Sequence, residues 1–307
     1  MRIACFDQAQ CHSLGRLQVW GELLVLCFRR FWIVPVVALA ASLIALVSWV
    51  PTASGGSTRI FVIGGTGGAL GGMRMLAEKF MDANRDVVIS IRPSLGSAGG
   101  IRAIKAGKID LAVTTRPLHL KEPSSQFEAI EYAQTPRVFA TSIDTTAEDI
   151  NADQLTAIFL GDNGWPDGAR MRLVMRPHRA SNNKLLCGLS DDMDKAVRYA
   201  LKRRQLLVTM NDQENASALE SIPGSFGMTT LAQILTEKRK LKPLSFNGVS
   251  GTPATLAAKS YPFAKRLHYV VSSDPSPDIK AFIEFLNSDV GQEILTTHGH
   301  LTAVKAN

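Results

Sequence analysis

Residues 59–80, RIFVIGGTGGALGGMRMLAEKF, constrain the fold more than any other stretch of the chain. The run Ile60-Phe61-Val62-Ile63 has the β-branched and aromatic content of a strand, six glycines lie between Gly64 and Gly72, and the spacing predicts a helix over 73–83. Strand, glycine-rich loop and helix together aim free backbone N–H groups and the positive end of a helix dipole at one point, an arrangement suited to an anion. The unit recurs. Strand Val87–Ile91 leads into the loop SLGSAGG (94–100) and a helix near 100–106, and Asp110–Val113 reads as a third strand ending in TTRPL (114–118). Alternating strands and helices predict an α/β fold with a mostly parallel sheet. All three loops then share the carboxyl edge, where open sheets of this kind bind ligands.

The same reading extends along the chain. An apolar extended run lies within Tyr132–Ser142, a helix is predicted over 153–160, and Arg172–Met175 is a strand. Residues 192–208 read as one long helix, and SFGMTTLAQIL as a turn followed by a helix. Leu267–Ser272 is a strand, and Asp278–Leu286 and Val290–Thr297 are helices, the first with Ile279, Phe282, Ile283 and Leu286 on one face.

The N-terminus carries a different message. Arg29 and Arg30 precede FWIVPVVALAASLIALVSWV, 20 residues (31–50) without a charge, and the linker-like PTASGG follows. That order is the order of an export signal, and the run is long enough to remain as a signal anchor. The folded part is therefore expected outside the cytoplasmic membrane, in a periplasmic or extracytoplasmic setting. Past residue 56, Cys187 is the sole cysteine, so the fold must be held by its core rather than by a disulfide. The net charge of +7 is a mild basic bias that suits an anionic ligand without demanding one.

Which anion the glycine loops hold stays open at this level. A dinucleotide fold wants G-x-G-x-x-G, but Gly65-Thr66-Gly67-Gly68-Ala69 is followed by Leu70, with Gly71 one place late. The ribose-binding acid expected about 20 residues on is absent, and Arg92 stands there. The competing structural reading is that the glycines only let helices pack closely on strands. The basic runs KRRQ (202–205) and EKRKLKP (237–243) sit on or beside helices and lack interleaved aromatics, so no nucleic-acid partner is expected, and of Arg170, Arg172, Arg176, His178 and Arg179 all but Arg176 read as a solvated face. His298 and His300 lack a third ligand, so no metal is expected. No G-x-S-x-G or HExxH occurs, no enzyme activity is expected, and no cofactor is called for.

The segment GSAGGIRAIKAGKIDLAVTTRPL, taken with the loop and helix at 64–80 and the tail SYPFAKRLHYVV…IKAFIEFLNSDVGQEILTTHGHLTAV, resembles the phosphate-binding periplasmic proteins of ABC transporters. The resemblance runs from about residue 59 to the end. It implies a type II periplasmic-binding-protein fold, with two α/β lobes, each a mostly parallel sheet flanked by helices, joined by two crossing hinge strands. Lobe one would be 57–139 plus 263–307, lobe two 140–262, and residues 1–56 the signal and linker. It further implies a monomer that captures a small oxyanion, with phosphate as first expectation, between the lobes and delivers it to an ABC permease. The implied ligand contacts are Gly71, Gly72, Ser97, Ala98, Gly99, Thr114 and Thr115 from lobe one, and Arg176 and Ser181 from lobe two, with Ser181 also a helix N-cap. Thr115 stands where the phosphate binders carry an acid that accepts a ligand proton, so the identity of the anion stays open, as does a membrane-anchored sensor role.

Overall fold

The computed structural model describes residues 58–119 and 126–302. The export or anchor segment expected within 1–56 lies outside the described residues. No helix among the described residues is long and apolar enough to cross a membrane.

Lobe one is built as the alternation predicts. Strand β1 (Arg59–Gly65) is central, with β2 (Val87–Ile91) and β3 (Leu111–Thr114) parallel on either side. Helix α1 (Gly67–Ala83) covers one face and α2 (Gly96–Lys105) the other. The alternation along β1 assigns the faces: Phe61 and Ile63 pack with Leu70, Leu76 and Phe80 of α1, whereas Val62 packs with Ile104 and Ile109 on the α2 side. Two C-terminal helices, α9 (Pro277–Leu286) and α10 (Asp289–Thr297), close the α1 face, and Phe282 meets Phe61 and Phe80 at ring distances of 5.6 and 5.5 Å.

Helix α1 starts earlier than the glycines suggest. It begins at Gly67 rather than near Met73, so Gly67, Gly68, Gly71 and Gly72 are helical residues. Their low helix propensity is offset by close packing on both sides. A side chain at Gly71 would collide with Thr236, one at Gly72 would stand 3.2 Å from the His300 ring, and one at Gly68 would stand 2.6 Å from Lys265 Nζ. Gly65 needs its glycine most: its φ is +137°, and a side chain there would overlap the Val113 carbonyl.

Two long strands join the lobes. Strand β4 (Phe127–Ser142) pairs over its first half with β10 (Ala264–Ser272), which also pairs with β3 in lobe one. Its second half pairs with β8 (Ser225–Thr230) and β9 (Leu241–Phe246) in lobe two. The switch falls at Arg137, whose N–H donates to Phe263 O at 2.7 Å and whose carbonyl accepts from Tyr261 Oη at 2.8 Å.

In lobe two, β8 lies parallel to β6 (Arg172–Met175), which is parallel to the short edge strand β7 (Leu207–Val208). One face is covered by α3 (Ala152–Leu160), α4 (Ser181–Cys187) and α5 (Asp191–Ala200) around Phe139, Phe226 and Phe263. The other is covered by α6 (Asp212–Ser221) and α7 (Leu231–Thr236), while the short strand β5 (Asp149–Ile150) pairs parallel with β9 and the short helix α8 (Pro253–Ala257) follows β9 in the chain. Two expectations are corrected here. The helix over 192–208 ends at Ala200, because Leu207 and Val208 are taken by the sheet beside Val174 and Met175. SFGM is no turn: Ser225–Thr230 is a fully buried strand, and Gly227 lies so close to β6 that a side chain would stand 2.7 Å from the Val174 carbonyl.

Candidate functional site

A cleft of about 470 Å³ opens where the carboxyl edges of the two lobes face each other. From lobe one, Ser97 lies in the first turn of α2, and Thr115 follows β3. The Ser97 Oγ accepts the Thr115 N–H at 2.9 Å and lies 3.1 Å from Thr115 Oγ1, so one shared set of hydroxyls faces the opening. Ala98 and Gly99 complete this wall, where N–H groups at the start of a ten-residue helix have no intrahelical acceptor.

From lobe two, Arg176 follows β6. Its guanidinium donates to Thr209 O at 3.2 Å, and the backbone carrying it is fixed by the buried Asn183, whose side-chain amide donates to the carbonyls of Arg176 and Pro177 at 2.8 and 3.1 Å. Ser181 also lines the cleft. It is the first residue of α4 rather than its cap: Ala180 holds the N-cap position and supplies no side-chain hydrogen bond.

The structure thus gathers Ser97, Ala98, Gly99, Thr115, Arg176 and Ser181 around one cavity. It does not bring Gly71, Gly72 or Thr114 there. Both glycines lie beyond the first four residues of α1, whose N–H groups alone lack intrahelical partners, and they face Thr236 and His300. Thr114 is fully buried and spends its hydroxyl on the Arg116 carbonyl at 2.7 Å, holding the turn that presents Thr115.

Sequence reasoning missed the floor of the cleft. Lys265, in β10, is buried with its Nζ 3.5 Å from Asp212 Oδ2. Asp212 opens α6, and its Oδ2 also accepts the Gly68 N–H at 2.8 Å, while Oδ1 lies 3.7 Å from Arg176. Arg137 is buried behind them, donating to Ser181 O at 3.3 Å, and its Nε has no hydrogen-bond partner. Burial raises the Asp212 carboxyl, but Lys265, Arg176 and the Gly68 N–H outweigh it and hold the group below the usual carboxylate range. Burial pulls Lys265 and Arg176 down, and Arg137 to about 10, each opposed by Asp212 and, at Arg176, also by Glu214. Three cations thus surround one carboxylate, and Arg102, Arg116, Arg179 and Lys184 add positive charge toward the mouth. No local signal marks this cluster. Asp212 reads as an ordinary first-turn acid after the N-cap Asn211, and Lys265 as one lysine in a strand.

A larger cavity of about 630 Å³ lies at the far edge of lobe two, bordered by Arg170, Arg172, Arg203 and Arg204. Only one lobe lines it, and none of its lining residues opens a helix. The cleft, where helix starts from both lobes converge on buried cations, is the stronger candidate. Among the described residues, no group of three His, Cys, Asp or Glu side chains is placed to hold a metal ion.

Known proteins share this arrangement of elements. The chain is 23% identical over 236 residues to the phosphate-binding protein PstS of Bacillus subtilis, covering 73% of this chain and 74% of that one. A Clostridium perfringens substrate-binding protein, assigned to a phosphate ABC transporter and solved with phosphate bound, superposes with a TM-score of 0.67 at 19% identity, covering 80% of this chain and all of that one. A phosphate-binding protein from Stenotrophomonas maltophilia superposes with a TM-score of 0.58 at 14% identity, covering 81% and 91%. The family described as the PBP superfamily domain matches residues 52–290, so the chain belongs to the PBP superfamily, and the solved structures share its two-lobed type II fold.

Proposed function

We propose that this protein captures a small oxyanion, with phosphate the first expectation, in the cleft between its lobes and serves as the substrate-binding component of an ABC transporter. One observation carries the reading: neutral donors from lobe one and an arginine from lobe two converge on a floor where three cations face a single carboxylate. That surplus of buried positive charge calls for an anion, and fixed N–H and O–H donors hold one without reorganising. The proposed ligand contacts are Ser97, Ala98, Gly99 and Thr115 from one side and Arg176 and Ser181 from the other, with Arg176 offering a bidentate pair of donors. In this reading lobe one comprises 57–139 and 263–307, and lobe two 140–262. Closure about the β4 and β10 crossing dehydrates the anion and forms the surface that a permease recognises. Export by the N-terminal segment places the lobes outside the cytoplasmic membrane. That the relatives are phosphate-binding proteins supports the solute class.

The reading is tested by thermal unfolding of the full-length protein with phosphate, sulfate, molybdate and NAD. A ligand at a hundred times its Kd adds about 2.7 kcal/mol, which for a chain of this size raises Tm by about 5–10 °C. A rise with a tetrahedral oxyanion and none with NAD is expected. A flat response to every oxyanion contradicts the proposal.

A further inference from the structure

The cleft holds an anion of its own. Asp212 belongs to lobe two, yet its carboxylate lies against lobe one, where Oδ2 accepts the Gly68 N–H at 2.8 Å, lies 3.4 Å from the Thr66 hydroxyl and 3.5 Å from Lys265 Nζ. Gly68 is the second residue of the 17-residue α1, so its N–H is one of those with no intrahelical acceptor. Helix start, hydroxyl, buried lysine and, across the cleft, Arg176 at 3.7 Å are the donor types that hold an oxyanion, and a side chain of the protein is seated on them. Asp212 is also the sole acid lining the cleft among the described residues. It does not use up the positive charge around it: Arg137, buried at the back of the cluster, keeps an Nε without a partner.

We infer that Asp212 is an internal counter-anion that competes with the captured oxyanion for the α1 start, Lys265 and Arg176, so that displacement of its carboxylate sets the affinity of the cleft. The inference rests on the oxyanion reading above. It differs from a role in which an acid accepts a proton from the ligand. A proton acceptor strengthens binding of a protonated anion and rejects a fully deprotonated one, whereas a competitor weakens both. An inter-lobe carboxylate also exchanges one closure contact for another when the ligand arrives, so the unliganded lobes are held together by the protein's own charge.

The test is calorimetric titration of the full-length wild type, Asp212→Asn and Asp212→Ala with phosphate and with sulfate at one ionic strength. Removing a unit charge this close to the site is expected to tighten both anions by roughly tenfold or more in both variants. Wild type that binds both anions measurably, beside variants that bind both at least tenfold tighter, supports the inference. Wild type that binds beside variants with unchanged or weaker affinity for both anions overturns it and leaves the oxyanion reading standing. A loss of phosphate with a gain of sulfate overturns it in favour of a proton acceptor. Folded wild type and variants that bind neither anion overturn both readings. Should the variants not fold, the wild type still decides: its Gly68 amide resonance shifts on phosphate addition if Asp212 is displaced, and stays fixed while the Ser97 amide moves if it is not.

Discussion

Replacing Gly100 by alanine separates the packing role of the glycines from their role beside an anion. A Cβ at Gly100 would lie 2.9 Å from the Gly65 Cα and 3.6 Å from the Ala112 Cβ. The first of these is backbone, and that backbone cannot yield. Gly65 sits at φ +137°, its carbonyl accepts the Leu95 N–H at 2.9 Å, and the next residue, Thr66, donates to Val113 O at 2.9 Å. Helix α2 must therefore move instead, and it carries Ile101 and Ile104, both buried in the lobe-one core. Overpacking of this kind costs about 1–3 kcal/mol, and the better helix propensity of alanine returns up to about 1 kcal/mol. With the full return the net loss is about 0–2 kcal/mol, which should lower Tm by up to about 8 °C, read by circular dichroism of the full-length protein without ligand. The neighbouring Gly99→Ala is the control. Its Cβ would meet side-chain atoms, Leu95 Cβ at 3.1 Å and Arg102 at 3.9 Å, so its Tm should stay within about 2 °C of wild type. Gly100→Ala melting above wild type would refute the claim that this glycine sets the distance between α2 and β1.

Two further outcomes follow from buried polar groups. His300 is 1% exposed, and burial pushes its imidazole down to about 4, while its Nδ1–H donates to Leu295 O at 3.0 Å. The unfolded ring titrates near 6.5, so its contribution to stability is complete above that pH and is lost as pH falls toward 4, by about 2 kcal/mol at pH 5 and about 3 kcal/mol at pH 4. Burial also lowers His268, against Glu131, and this adds in the same direction. Urea unfolding at pH 7.5 and 5.0 measures the loss, and His300→Leu should flatten it. Asn183→Ala removes both amide donors from the carbonyls of Arg176 and Pro177; it should lower stability by about 1–3 kcal/mol in urea titrations and weaken oxyanion binding in calorimetry although Arg176 remains.

What the sequence disclosed follows the range of the interactions. Helix α9 was legible because Ile279, Phe282 and Leu286 share a face, and β1 because Ile60–Ile63 is a β-branched and aromatic run before glycines. Local pattern failed where tertiary demands overrode it. Leu206, Leu207 and Val208 continue a helical periodicity from α5, yet the edge of the lobe-two sheet claims the last two. The glycines after β1 have turn chemistry, yet α1 runs through them because Thr236, Lys265 and His300 leave no room for side chains. The walls of the cleft were legible because Ser97, Thr115 and Arg176 follow strand ends, where a parallel sheet puts its ligand. Its floor was not. Lys265, Arg137 and Asp212 are far apart in sequence, each is ordinary in its own segment, and only the crossing of β4 and β10 makes them neighbours. The departure at Thr115 was legible, but the acid that does line the cleft comes from the opposite lobe.

Whether donors of both lobes hold one oxyanion is decided by titrating phosphate into full-length wild type, Ser97→Ala and Arg176→Ala by calorimetry, with folding of each checked by its melt. Saturable 1:1 binding to wild type is expected, weakened by roughly tenfold when the lobe-one hydroxyl is lost and by more when the lobe-two guanidinium is lost. Binding that is unchanged in both folded variants would place the anion elsewhere and contradict the account.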